Sequence, residues 1–373
     1  MLKRVTQSFL IIAITFLFLN ACNCDNDPVC DSNVIKPIVT TEKVPNDTDD
    51  PAIWINSDDP SKSLIIGNDK DVNGGLFVFD LDGKIIPEKT VSLKRPNNVD
   101  VEYGLIINNV PTDIAVATER DRNSIRIFSL PDMKEIDNGG IEVFSGEELN
   151  APMGIALYKR PSDGAIYAIV GRKKGPSNNY LWQYLLEDDG TGNVKGTLVR
   201  KFGKYSGVKE IESIAVDDQL GYVYYSDEQH GVRKYHADPD VENAGEELGI
   251  IYTMDYLKDN EGISIYCIDD STGYILVSDQ DASRFRIYPR EGTPADIDID
   301  DPEDSIPARP HLHRLIKMVD VSTVRSDGSD VTSTPLGDKF PNGLFVAMSD
   351  DKTFQLYDWA DIAGKDLVIA TKK

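Results

Sequence analysis

Asp47, Asp49 and Asp50 stand together just ahead of Pro51, in the stretch Asp47-Thr48-Asp49-Asp50-Pro51-Ala52-Ile53-Trp54. Adjacent carboxylates repel one another unless a proton or a cation lies between them, so such a run is either turn chemistry or part of a cation site. What favours the second reading is recurrence. Polar and charged residues close the runs at Gly67-Asn68-Asp69-Lys70, Thr118-Glu119-Arg120-Asp121, Gly171-Arg172-Lys173-Lys174, Ser226-Asp227-Glu228-Gln229 and Ser278-Asp279-Gln280-Asp281. Others precede apolar runs, at Asn98 to Asp100, Glu210 to Glu212 and Asp259-Asn260-Glu261. Oxygen ligands without histidine or thiolate favour hard cations, and calcium tolerates the irregular sets that several loops supply. Lys70, Arg120, Lys159, Arg172 and Lys173, added to bound calcium, would make a site for a guest carrying several phosphates.

The chain as a whole is anionic. Its 373 residues carry 39 Lys+Arg against 63 Asp+Glu, a formal charge of -24. That field repels phosphates unless cations intervene, which argues against nucleic acid as a partner. No CxxC or Cys/His pair suggests zinc, and neither an Arg-His-Gly phosphatase motif nor a GxxxxGK[ST] loop is present. Asp296, Asp298, Asp300 and Asp301 alternate loosely like calcium ligands, but no Gly or closing Glu follows at EF-hand spacing, so they read as a solvated loop. His311 and His313 would share one face of a strand with no third ligand at hand, and Cys267 falls within an apolar alternation; all three read as structural.

The elements that must hold the charged loops are strands. Runs bounded by Gly, Pro, Asp and Asn dominate, with no long helical periodicity. Ala52 to Ile55, Ser63 to Gly67 and Gly75 to Asp80 make one unit, and comparable units start near residues 98, 152, 212, 261 and 342. A period of roughly 50 residues with one long final interval predicts an all-β fold, a six-bladed β-propeller of four-stranded antiparallel blades. In that architecture the loop leading into each innermost strand and the loop between second and third strands open on one face. Ser349-Asp350-Asp351 is expected to end an outer strand pair of the last unit.

The N-terminus carries Lys3 and Arg4, then apolar Phe9 to Leu19, then Leu19-Asn20-Ala21-Cys22. The order is that of an export signal, and the run is too short to span a membrane. It resembles a bacterial lipoprotein signal, which implies cleavage ahead of a lipidated Cys22 and anchorage in the cell envelope, periplasmic or at the surface. Residues 1–21 are then a signal, 22–36 a tether and 37–373 the propeller, expected to work as a monomer. Cys24 and Cys30 in the tether could pair or stay free.

From about Val39 to Trp359 the residues resemble the β-propeller phytases, calcium-dependent phosphatases acting on myo-inositol hexakisphosphate. The resemblance rests on Asp49-Asp50-Pro51-Ala52-Ile53-Trp54, Gly75 to Lys84, Asn98-Val99-Asp100, Glu261 to Tyr266 and Phe340 to Ala347. It implies that Asp49, Glu212, Glu228, Asp259, Glu261 and Asp327 hold several active-site calcium ions. It further implies that Lys70, Arg120, Lys159 and Lys173 contact substrate phosphates, and that Asp50, Asn98 and Asp100 serve structural calcium, with Asp320 a possible further ligand. Two positions depart: Asp71 replaces a second lysine found in some members, and Lys159 stands where some have His. The implied reaction is attack of calcium-bound water on a phosphate of phytate presented as its calcium complex. A lactonase-like calcium propeller and a noncatalytic surface propeller binding calcium and polyanions are the alternatives.

Overall fold

The computed structural model describes residues 29–295 and 306–371. The export signal, Cys22, Cys24 and the aspartates from Asp296 to Asp301 lie outside the described residues. Six sheets form six blades. Their innermost strands are Thr48–Trp54, Pro96–Ile107, Pro152–Lys159, Ile214–Asp217, Asn260–Cys267 and Ser329–Thr332. Each is followed outward by antiparallel neighbours to give the four-stranded units expected, with one extra strand on the edge of the fifth sheet and two short strands sharing the outer edge of the second. One short α-helix, Trp359–Ala363, is capped by the Asp358 carboxylate. No helix among the described residues is long and apolar enough to cross a membrane.

The second strands show why the pattern reads as β. Leu64–Asp69, Ile166–Arg172, Gly273–Asp279 and Leu344–Ser349 are buried at every position, because blades pack on both of their faces. The core accordingly lies between blades. Leu105, Ile127 and Val143 of the second blade meet Ile155, Val170 and Trp182 of the third, for example.

The sixth blade differs from the expectation. Its innermost strand is Ser329–Thr332, and Leu344–Ser349, expected to open the unit, is the second strand. The inner strand is four residues long and largely polar, so it leaves no apolar alternation in the sequence. Ser349-Asp350-Asp351 is therefore the turn from second to third strand, on the same face as its counterparts. The blade is completed by Val39–Thr40 from the other end of the chain, which pairs antiparallel with Thr353–Asp358. Upstream, Val29–Ile35, inside the stretch expected as a tether, runs parallel to Lys317–Val321 at the edge of the fifth blade.

Candidate active site

In four blades the pairing of inner with second strand slips near the start of the inner strand: between Thr48 and Pro51, Pro96 and Val99, Pro152 and Ile155, and Asn260 and Ile263. Such irregularities re-aim side chains. Asp49 consequently faces the mouth, bonded to Lys70 and Asn97, while Asp50 accepts from Val99 N at 3.1 Å and lines the central channel.

A second repeated device fixes the mouth. Near the end of a second strand, a hydroxyl or amide donates to a backbone carbonyl of the next blade: Asn68 to Asn97 O, Thr118 to Met153 O, Ser226 to Glu261 O and Ser278 to Ser326 O. Between sixth and first blades the bond runs from Thr48 Oγ1 to Ser349 O. At the remaining junction stands Gly171. Gly328 lets the last loop lie flat on the first blade, since a Cβ there would sit 2.7 Å from the Asp49 carbonyl oxygen.

The residue after each latch is a clamp. Asp69 accepts from the backbone of Asn46 and Asp47, Glu119 from Lys94 N, Asp227 from Ser206 N and Asp279 from Leu257 N. In the third blade Arg172 takes this place with reversed polarity. Its buried guanidinium donates to the carbonyls of Leu149, Asn179 and Tyr180 and lies over the Phe144 ring. Arg172 therefore holds loops together and is removed from the set of phosphate-binding cations.

What remains at the mouth is a floor of carboxylates under a ring of cations. Lys70 Nζ lies 2.6 Å from Asp49 Oδ1 and 2.9 Å from Asp327 Oδ2. Asn97 Nδ2 donates to Asp49 Oδ2 at 2.9 Å and to Glu212 Oε1 at 3.1 Å. Arg120 approaches Glu212 at 3.9 Å, and Lys173 pairs with Glu210 at 3.1 Å. Glu228, Asp259 and Glu261, all buried, bring carboxylate oxygens within 4.8 Å of one another, and Lys209 sits against all three. Lys70, Arg120, Lys173, Lys209 and Arg325 line one pocket of about 330 Å³ with Glu212, Glu261 and Asp327.

Burial decides the electrostatics. It raises Asp49, Glu212 and Glu261 above their ordinary carboxylate range, with mutual repulsion adding to it, and it pushes Glu228 up to about 8. Asp259 goes the other way: burial would raise it, but bonds from Lys209 and Gln229 bring it below its usual value. Burial opposes the charge on Lys70 and Lys209, yet their carboxylate neighbours outweigh it and hold both ammonium groups ionised. Neither oxygen of Glu228 accepts a hydrogen bond of normal geometry, Lys209 being its close counter-charge. An all-oxygen donor set with an unsatisfied buried carboxylate fits a hard divalent cation.

The sequence profile of the Phytase family matches residues 2–358. The chain belongs to the phytase family. It is similar to the 3-phytase of Bacillus subtilis (strain 168), with 30% identity over 336 residues, 84% of this chain and 80% of that protein. Among solved structures, the one described as "Structure of Dos1 propeller" superposes with a TM-score of 0.40 and 11% identity, over 83% of this chain and 67% of the other.

In this phytase-family chain the mouth gathers Asp49, Lys70, Arg120, Lys173, Glu212, Glu228, Asp259, Glu261 and Asp327. Asp50 and Asp100 line the channel instead, and Asn98 is buried beside Asn97. Lys159 is not brought to the mouth. It ends an inner strand that starts there, so it lies at the far end, bonding Tyr103 O at 2.6 Å. Asp320 is likewise outside the pocket, paired with Arg284 on the outer strands of the fifth blade. Asn97, Lys209, Arg325 and the channel residue Asp330 were not named by sequence reasoning, and Gln280 only within its run. Lys209 had a signal: it stands three residues before Glu212 in a loop already assigned to the mouth. His313 bonds Pro289 O and Lys234, and Cys267, half-buried with its thiol pushed up to about 11 by burial, takes no part.

Proposed function

We propose that this chain is a calcium-dependent phosphoric monoester hydrolase that releases phosphate from myo-inositol hexakisphosphate, as a 3-phytase. The observation that carries the reading is the pocket itself, where five lysine and arginine side chains surround a carboxylate floor. A simple monoester needs few cations. A ring bearing phosphates on all sides needs several, spaced around one cavity. That arrangement disfavours a sugar lactone, which carries no such charge.

Calcium suits the carboxylates for the reasons of donor type and burial given above. Asp49, Glu212, Glu228, Asp259, Glu261 and Asp327 would hold it at the mouth, with Asp50 and Asp100 holding a structural ion in the channel and Asn98, buried beside Asn97, contributing from the layer above. When bound it supplies polarisation of the phosphoryl group and offsets its negative charge. Lys70, Arg120 and Lys173 bind the phosphates on either side of the reacting one and so select which ester lies over the carboxylates. Asn97 holds Asp49 and Glu212 at a fixed separation through one amide nitrogen. The reading takes water as the nucleophile: among the described residues no Ser, Thr, Cys or His lines the pocket, and its carboxylates would be committed to the metal.

The deciding experiment is phosphate release from phytate in calcium and in chelator. Release in calcium, its loss in chelator and its recovery on adding calcium back are expected. Equal rates in both would remove the metal, and tight phytate binding without release in millimolar calcium would make the chain a binding protein.

The N-terminal sequence supports export and anchorage through a lipidated Cys22, which would put the propeller outside the cytoplasm. Mass spectrometry of the mature N-terminus, beside Cys22→Ala, tests this; an acyl-free mature chain from the unaltered sequence would refute it.

A further inference from the structure

Lys209 approaches the mouth from the loop ahead of the fourth blade. Its Nζ donates to Asp259 Oδ2 at 2.9 Å and to Glu261 Oε1 at 3.2 Å, and presses against Glu228 Oε2. These are the three buried carboxylates whose oxygens converge closely enough to share one cation. An ammonium and a calcium ion cannot both sit at that convergence: the first holds its oxygens at about 2.9 Å, the second at about 2.4 Å, and their charges repel. The lysine stem is about one-third exposed and lines the pocket. A short turn of the side chain would carry Nζ from the floor towards the cationic ring of Lys70, Arg120, Lys173 and Arg325.

We propose that Lys209 is a displaceable ammonium. It holds Glu228, Asp259 and Glu261 together until a divalent cation takes them, then turns into the pocket and joins the side chains that bind substrate phosphates. The inference rests on the reading that these carboxylates take up calcium. Its consequence is coupling. Phosphate that captures the freed ammonium removes the competitor for the carboxylates, so substrate and metal each tighten the other's binding.

The test is calorimetric titration of calcium into the chelator-stripped full chain, without substrate, for the wild type, Lys209→Gln and Lys204→Gln. Lys209→Gln is expected to bind about tenfold tighter or more, the ratio set by losing one charge-assisted competitor. Lys204→Gln removes an equal charge from a side chain paired with Glu247 and is expected to match the wild type. In calcium, Lys209→Gln should also raise KM for phytate. Unchanged or weaker calcium binding in Lys209→Gln, or an equal gain in Lys204→Gln, overturns the proposal. A wild type and a Lys209→Gln variant that both take up no calcium overturn it along with the calcium reading itself. Should Lys209→Gln fail to fold without the ion, chelator competition on protein purified in calcium yields the same constant.

Discussion

In chelator, the stability of this protein should fall as pH rises from about 5 to about 9, and calcium should reverse the slope. Asp50, Asp100 and Asp330 line the central channel, enclosed by the innermost strands though within reach of water. Burial raises all three, Asp100 to about 8 and Asp330 to about 6. In the unfolded chain they return to 3.8. Across the window between those values the folded protein keeps protons that the unfolded chain has lost, so each step up in pH favours unfolding. The stabilisation is complete below the unfolded value and is lost as pH passes through the folded one. Moving Asp100 from 3.8 to about 8 corresponds to on the order of 5 kcal/mol, and Asp330 from 3.8 to about 6 to about 3 kcal/mol. The Asp100 figure alone shifts the melting temperature by on the order of 10 °C. Calcium requires the same carboxylates ionised, which is why its presence inverts the sign. Thermal melts at pH 5, 7 and 9, in chelator and in calcium, measure both slopes. An Asp100→Asn/Asp330→Asn double variant, whose channel amides cannot ionise, should flatten the chelator series. A melting temperature in chelator that holds steady or rises over this range would show that the channel aspartates do not retain protons in the folded protein.

Three further outcomes follow from the site. Lys70→Ala removes the cation bonded to Asp49 and Asp327 and should lower kcat/KM for phytate about 10- to 100-fold; kinetics like the wild type would take Lys70 out of the site. Lys159→Ala, at the opposite end of its strand, should leave phosphate release within about twofold of the wild type, and a loss like that of Lys70→Ala would contradict its placement. Arg172→Lys breaks the planar fork that joins a loop carbonyl, Leu149 O, to two carbonyls at the start of the next strand and should cost about 2 kcal/mol in urea unfolding without altering KM, so an unchanged unfolding midpoint would count against the clamp.

Much of the architecture was legible because the blades leave spaced apolar runs punctuated by Gly, Asp and Asn. The exception, Ser329–Thr332, is short and polar, and only its Val331 contributes an apolar side chain to the core. The site was legible as a set of loops, less so as individual roles. Asp227 and Glu228 are neighbours with the same charge, yet one is tied to Ser206 and Arg233 while the other faces the mouth. Lys159 was misplaced although the sequence held the signal: it follows an inner-strand run, whereas the mouth residues precede inner strands or follow second strands. A strand of eight residues spans about 27 Å, so the two ends cannot serve one pocket.

The joining of the two chain ends within the sixth blade gives the protein the form of a bracelet, with its clasp on the outer edge of that blade and the active centre across the seam between the sixth and first blades. Asp49 and Lys70 belong to the first-made blade, Asp327 to the loop before the last, and Lys70 bridges them. A guest seated there would touch both of the blades that meet at that seam. A chain short of its final strands lacks the blade that meets Asp49 and Lys70, and with it one wall of the site.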